Sequence, residues 1–108
     1  MNTLPQAIAA YIDAANAREP HDMASCFHPD AIVYDEGKEC RGREEIAAWA
    51  HDSSTRYQFT IEPAGLEEAH GVHTVRANVR GNFPGSPIML NFLFKLRSGA
   101  IQTLEIAP

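Results

Sequence analysis

The stretch "IMLNFLFKL", residues 88–96, decides the class of fold. Successive strand side chains point to opposite faces, so Ile88, Leu90, Phe92, Phe94 and Leu96 share one side and Met89, Asn91 and Leu93 the other. Both sides are apolar apart from one amide, and such a strand needs cover twice, once from a core and once from a partner surface. Downstream, Ser98 and Gly99 make a hairpin turn into the closing strand "AIQTLEI", residues 100–106. Upstream, Val72 to Phe83 reads as a long strand with Val75, Ala77 and Val79 on one face and Thr74, Arg76, Asn78 and Arg80 on the other. "PGSP", residues 84–87, separates it from the quoted stretch. Before it, Tyr57, Phe59 and Ile61 alternate with polar residues in a strand that turns at "EAHG", residues 68–71.

The first half of the chain is mostly helical. Thr3 and Gln6 form a capping box, Pro5 sits in the first turn, and Ile8, Tyr11, Ile12 and Ala15 follow at helical spacing, which predicts a helix over about residues 3–17. Pro20 blocks its continuation. A short second helix over about residues 21–27 would bury Met23, Cys26 and Phe27 before "HPDA" turns the chain. "AIVYDEG", residues 31–37, is a strand in which Ala31, Val33 and Asp35 share a face, so that a carboxylate stands where the inward row meets a turn. Asp35 is there either as a turn former or as a working group. "KEC" is a brief return strand. "RGREEIAAWAHDSS", residues 41–54, is a third helix with Gly42 as cap, Glu44 and Glu45 at its positive end, and a buried stripe of Ile46, Trp49, Ala50 and Ser53. The order is α+β: three N-terminal helices packed on one face of a curved antiparallel sheet. The other sheet face predicts a homodimer.

With 108 residues, 44% hydrophobic and 21% charged, the chain suits a single domain spanning 1–108 with one core. A formal charge of −5 and scattered Lys and Arg argue against nucleic-acid binding, which needs clustered cations. The amino end has no basic leader, and no stretch approaches the roughly 20 apolar residues of a membrane span, so the expectation is a cytoplasmic protein without a membrane partner. Cys26 and Cys40 lie apart from any matching His cluster and read as small buried thiols. No metal site or cofactor is expected.

The segment "YIDAANAREPHDMASCFHPDAIVYDEG", residues 11–37, with "GREEIAAW" and "LFKLRSGAIQTLEI" later on, resembles the nuclear transport factor 2-like superfamily. It is most similar to the SnoaL-like polyketide cyclase and ketosteroid isomerase branch, over nearly the whole chain. The resemblance implies a cystatin-like cone whose curved sheet and helices enclose an apolar cavity. The expected cavity wall comprises Phe27, Val33, Trp49, Tyr57, Asn78, Met89 and Leu93. It also implies roles for three residues, counted from Phe27 and Gly99. Tyr11 falls where those isomerases hold a hydrogen-bonding tyrosine, Asp35 where they hold the base, and Asn91 where they hold a second oxyanion donor, usually a protonated Asp. Ala50 replaces a supporting tyrosine of that family.

The residue types fit such chemistry on their own. Removing a proton next to a carbonyl needs a positioned base and donors aimed at the oxygen where charge develops, in a water-poor cavity. Asp35 supplies a carboxylate, Tyr11 a hydroxyl, and Asn91 an amide that donates at any pH. Each also has a plainer explanation: a turn for Asp35, a core position for Tyr11, a structural bond for Asn91. The expected partner is a small, mostly apolar carbonyl compound, and the expected function a cofactor-free isomerase or cyclase. The alternative is a non-catalytic ligand-binding or dimerisation module of the same fold. A His beside Asp35 would point to a dehydratase, and Arg80 between paired acids to an epoxide hydrolase.

Overall fold

The computed structural model describes residues 4–108, so Thr3 of the expected capping box lies outside the described residues. Helix α1 (Gln6–Asn16) begins after Pro5, whose side chain can cap nothing, and buries Ile8, Tyr11, Ile12, Ala14 and Ala15. Its last residue ties it to the sheet. The Asn16 amide donates to the Ile61 carbonyl at 3.0 Å and accepts the Ile61 N–H at 2.7 Å, completing the backbone pairing of a strand start. Helix α2 (Pro20–Ser25) uses Pro20 as its first residue and buries Met23 and Ala24.

Strand β1 (Phe27–Asp35) starts earlier than the sequence predicts, because Phe27 pairs with Ile101 and draws "HPDA" into extended backbone across a register shift before Ile32. The expected second helix therefore ends short of Phe27. Strand β2 (Lys38–Arg41) returns through Glu36 and Gly37, both at positive φ. Helix α3 (Gly42–Tyr57) is longer than expected. Gly42 is its first residue and Arg41 its cap, whose N–H is taken by Glu45 Oε1 at 2.8 Å. Its final turn is held by the Arg56–Asp52 pair at 2.8 Å and stops at Gln58, with φ 48°. Tyr57 thus closes a helix and does not open a strand. Strands β3 (Thr60–Ala69), β4 (Val72–Arg80), β5 (Ile88–Arg97) and β6 (Ala100–Ala107) then form a meander.

The six strands make one sheet in the order β2-β1-β6-β5-β4-β3. Helix α3 carries the chain from the β2 edge to the opposite edge, and four hairpin-linked strands bring it back. The returning β6 runs parallel to β1, so the sheet is mixed where an all-antiparallel one was expected. All other neighbours are antiparallel. One face carries Val33, Val75, Ala77, Phe92, Phe94 and Leu104 into a core with the three helices. The opposite face carries Thr74, Arg76 and Asn78 of β4 beside Leu93, Asn91 and Met89 of β5.

Candidate active site

Strand parity brings Asp35 to the site. Ala31 and Val33 are fully buried, and Asp35, two residues further on the same face, is the last residue of β1 before the Glu36–Gly37 turn. Its carboxylate lies at the end of the core row and is half-buried. Trp49, on α3, donates its indole N–H to Asp35 Oδ2 at 3.0 Å. That bond fixes the carboxylate and leaves Oδ1 unclaimed by any described side chain. Burial raises the Asp35 pKa; the Trp49 bond opposes this, the Glu36 carboxylate adds to it, and the Glu36 backbone N–H opposes it, with a net upward shift.

Tyr11 reaches the same place from α1. Its ring packs edge-on against Phe27 and Phe94, with centroids 5.8 and 5.7 Å away. The residue is only 1% exposed, and its hydroxyl is bonded to no described residue. Burial, then the charge of Asp35, then Cys26 drive its pKa upward, so it remains a neutral donor at any physiological pH. Tyr11 borders the pocket, so a hydroxyl with no protein partner is available there to a ligand group.

Tyr11 and Asp35 both line a pocket of about 520 Å³. Its walls include Trp49 and Ser53 from α3, Tyr57 at the end of α3, Val79 of β4, and Leu90 and Phe92 of β5. Phe83 and Pro84, from the loop after β4, border it as well. Tyr57 donates its hydroxyl to Glu36 Oε2 at 3.1 Å and packs edge-on against Phe83. A second pocket of about 330 Å³ adjoins it and shares Asp35, Glu36 and Ile106.

Of the three residues expected to converge, two do so. Asn91 lies on the opposite face of the sheet. Its neighbour Phe92 pairs with Val75 and lines the pocket, whereas Asn91 is opposite Arg76 and donates to the Pro108 carbonyl at 3.3 Å. The correction follows from the two-residue period: a strand cannot send Asn91 and Phe92 the same way. Asn78, Met89 and Leu93 leave the cavity wall for the same reason, and Asn78 faces Glu62 at 3.5 Å. Phe27 and Val33 are fully buried core residues that do not border the pocket, while Trp49 and Tyr57 do line it. Arg80 pairs with Glu62 at 2.9 Å, away from the pocket, and no histidine lines it among the described residues. No three His, Cys, Asp or Glu side chains gather to hold a metal ion among the described residues.

The Trp49 bond to Asp35 was not foreseen, although a half-buried indole N–H beside an inward carboxylate is a signal for it. Phe59, Phe83 and Phe92 were also missed as wall residues. Phe92 was recoverable from its place in the row of Leu90 and Phe94; Phe83 was not, since its loop has no period.

The model of the SnoaL-like domain family matches residues 8–103. The chain belongs to that family. Among solved structures, this SnoaL-like chain is similar to a proposed polyketide cyclase of Sinorhizobium meliloti, at 34% identity and a TM-score of 0.91, over 95% of this chain and 94% of that one. A Catenulispora acidiphila protein with a ketosteroid isomerase-like fold, solved with trimethylamine, is 20% identical with a TM-score of 0.86, over 98% and 87% of the two chains. A cystatin-fold protein of Novosphingobium aromaticivorans is 18% identical with a TM-score of 0.78, over 95% and 96%. The last two likenesses concern the fold alone. No curated protein matches the sequence.

Proposed function

We propose that this SnoaL-like protein catalyses cofactor-free proton transfer next to a carbonyl in a small, mostly apolar molecule, as an isomerase or cyclase of the ketosteroid isomerase-like kind. The observation that carries the reading is Tyr11, a residue 1% exposed whose hydroxyl bonds no described residue, at the same pocket as a carboxylate held by Trp49. Asp35 acts as the base: its free oxygen takes the proton from carbon and returns it to another carbon. Tyr11 donates to the oxygen on which negative charge accumulates, and burial strengthens that bond when the charge forms. The substitution expected at Asn91 supplies no second donor here, so Tyr11 carries this role alone among the residues first singled out.

The test is isomerisation of a β,γ-unsaturated ketosteroid, read as conjugated-enone absorbance, together with solvent deuterium exchange into small enolisable ketones. Asp35→Asn is expected to lower either rate about 100-fold or more. Wild-type protein no faster than Asp35→Asn on every substrate would overturn the reading and leave the ligand-binding module of the same fold.

Support for a homodimer through the sheet comes from its outer face, where Met89 is 38% and Tyr34 41% exposed and Leu93, on the same strand as Met89, is half-buried. Such an interface would leave the pocket on the opposite face open to ligand. No helix among the described residues is long and apolar enough to cross a membrane.

A further inference from the structure

Every charged side chain that borders the 520 Å³ pocket is negative. Asp35 and Glu36 line it, and no Lys, Arg or His does among the described residues. The remaining wall is rich in rings: Tyr11, Trp49, Tyr57, Phe59, Phe83 and Phe92. Aromatic faces carry negative potential and attract cations, most strongly where water is excluded, and a cleft with apolar walls focuses the field of its charges. The adjoining pocket, which shares Asp35 and Glu36, adds Lys38, Glu105 and Glu39, the last already paired with Arg41 at 3.0 Å, so it brings no net positive charge to the approach. Beyond the wall, Arg56 pairs with Asp52 at 2.8 Å and donates to the Tyr57 hydroxyl at 3.4 Å, so it reaches Glu36 only through that hydroxyl.

Acids alone would not make a site. The separate sign of a ligand is Tyr11, a residue 1% exposed that borders the same pocket and whose hydroxyl bonds no described residue. A guest must therefore offer that hydroxyl an acceptor while meeting carboxylates and ring faces elsewhere. An anionic guest meets like charge. A neutral hydrocarbon satisfies the rings and offers nothing to the two carboxylates.

We propose that the pocket selects small organic cations, substrates bearing a protonated or quaternary ammonium group that lies against Glu36, Asp35 and the rings of Trp49 and Tyr57, with an acceptor oxygen directed to Tyr11. The inference rests on this pocket being the ligand site and adds the class of ligand; it does not require that proton transfer occur. Glu36 is the recognising carboxylate, since Asp35 is engaged by Trp49 and Glu36 by the hydroxyl of Tyr57, itself one of the rings facing the guest.

Trp49 is the only tryptophan of the chain, so its fluorescence reports occupancy of the pocket directly. Titrations at constant ionic strength would compare phenyltrimethylammonium, its neutral isostere tert-butylbenzene, and benzoate. The ammonium is expected to bind about tenfold or more tighter than the isostere, and benzoate more weakly than either. Glu36→Gln, an exposed substitution, is expected to cut that preference at least about threefold. An isostere that binds as tightly as the ammonium overturns the proposal, as does an ammonium titration without a saturable signal or a preference that survives Glu36→Gln intact. Deuterium exchange on the same protein separates the two readings. A cation preference without exchange removes the proton-transfer chemistry and keeps the ligand class, whereas exchange without a preference does the reverse.

Discussion

In the proposed reaction, Asp35 serves as the base at a cost to stability. Its pKa is raised in the folded state, chiefly by burial, so its contribution to stability is fully present below the unfolded pKa and is lost as pH rises through the folded one. At neutral pH the ionised carboxylate is therefore a burden. Asp35→Asn should keep an acceptor for the Trp49 N–H, lose activity, and melt at the same or a higher temperature, which a thermal denaturation series at pH 7 measures. The base works only when ionised, so the rate should rise with pH through that raised pKa. Trp49→Phe removes a bond that holds the pKa down, and the acidic limb of the pH–rate profile should move to higher pH. An unmoved limb would mean that the indole only fills space. Tyr11→Phe keeps the ring packing on Phe27 and Phe94 and removes the hydroxyl, and kcat should fall about 10²-fold with little change in melting temperature.

At the scale of elements, the hairpins share one device. Glu36–Gly37, His70–Gly71 and Ser98–Gly99 each join paired strands with two residues at positive φ, the turn whose twist matches that of its strands. Open space surrounds Gly99, so its requirement is conformational: Gly99→Ala should lower stability by about 1–2 kcal/mol in urea titrations without touching the pocket. This much was legible in the sequence, because an X-Gly pair between alternating apolar runs is a local signal. Element ends were less legible. Phe27 was assigned to a helix because its Met23 spacing is helical, but pairing with Ile101 some seventy residues away claims it for β1. The Asn16 clamp on Ile61 was equally invisible, since both partners are ordinary in their own segments and meet only when α1 lies across β3.

For the whole molecule, the decisive question is which face of the sheet turns inward. The polar face of β4, with Arg76 and Arg80, cannot lie on a core, and its pairing with β5 carries Asn91 outward with it. The alternation of β4 and β5 is legible in the sequence, yet the register between them, and not positional resemblance, decides that Asn91 faces away from the cavity. The same outer face leads to a prediction at this scale. If copies pair through it, Leu93→Glu should convert dimer to monomer in analytical ultracentrifugation while ligand binding at Trp49 persists; wild-type protein that sediments as a monomer at micromolar concentration would remove that interface.

By itself the sequence determined the α+β class, the number and order of elements and the hairpin turns, because these follow from periodicity and backbone conformation within a few residues; its motifs carried the resemblance to the family. It also determined that Asp35 shares a face with Ala31 and Val33 and that Tyr11 lies on an apolar helical stripe. Only the tertiary structure decided that these two meet at one pocket, that Trp49 holds the carboxylate, that β6 runs parallel to β1, and that Asn91 faces away. Those outcomes depend on contacts between segments far apart in the chain, where the register of one strand against another, and not the character of any single residue, selects what each side chain touches.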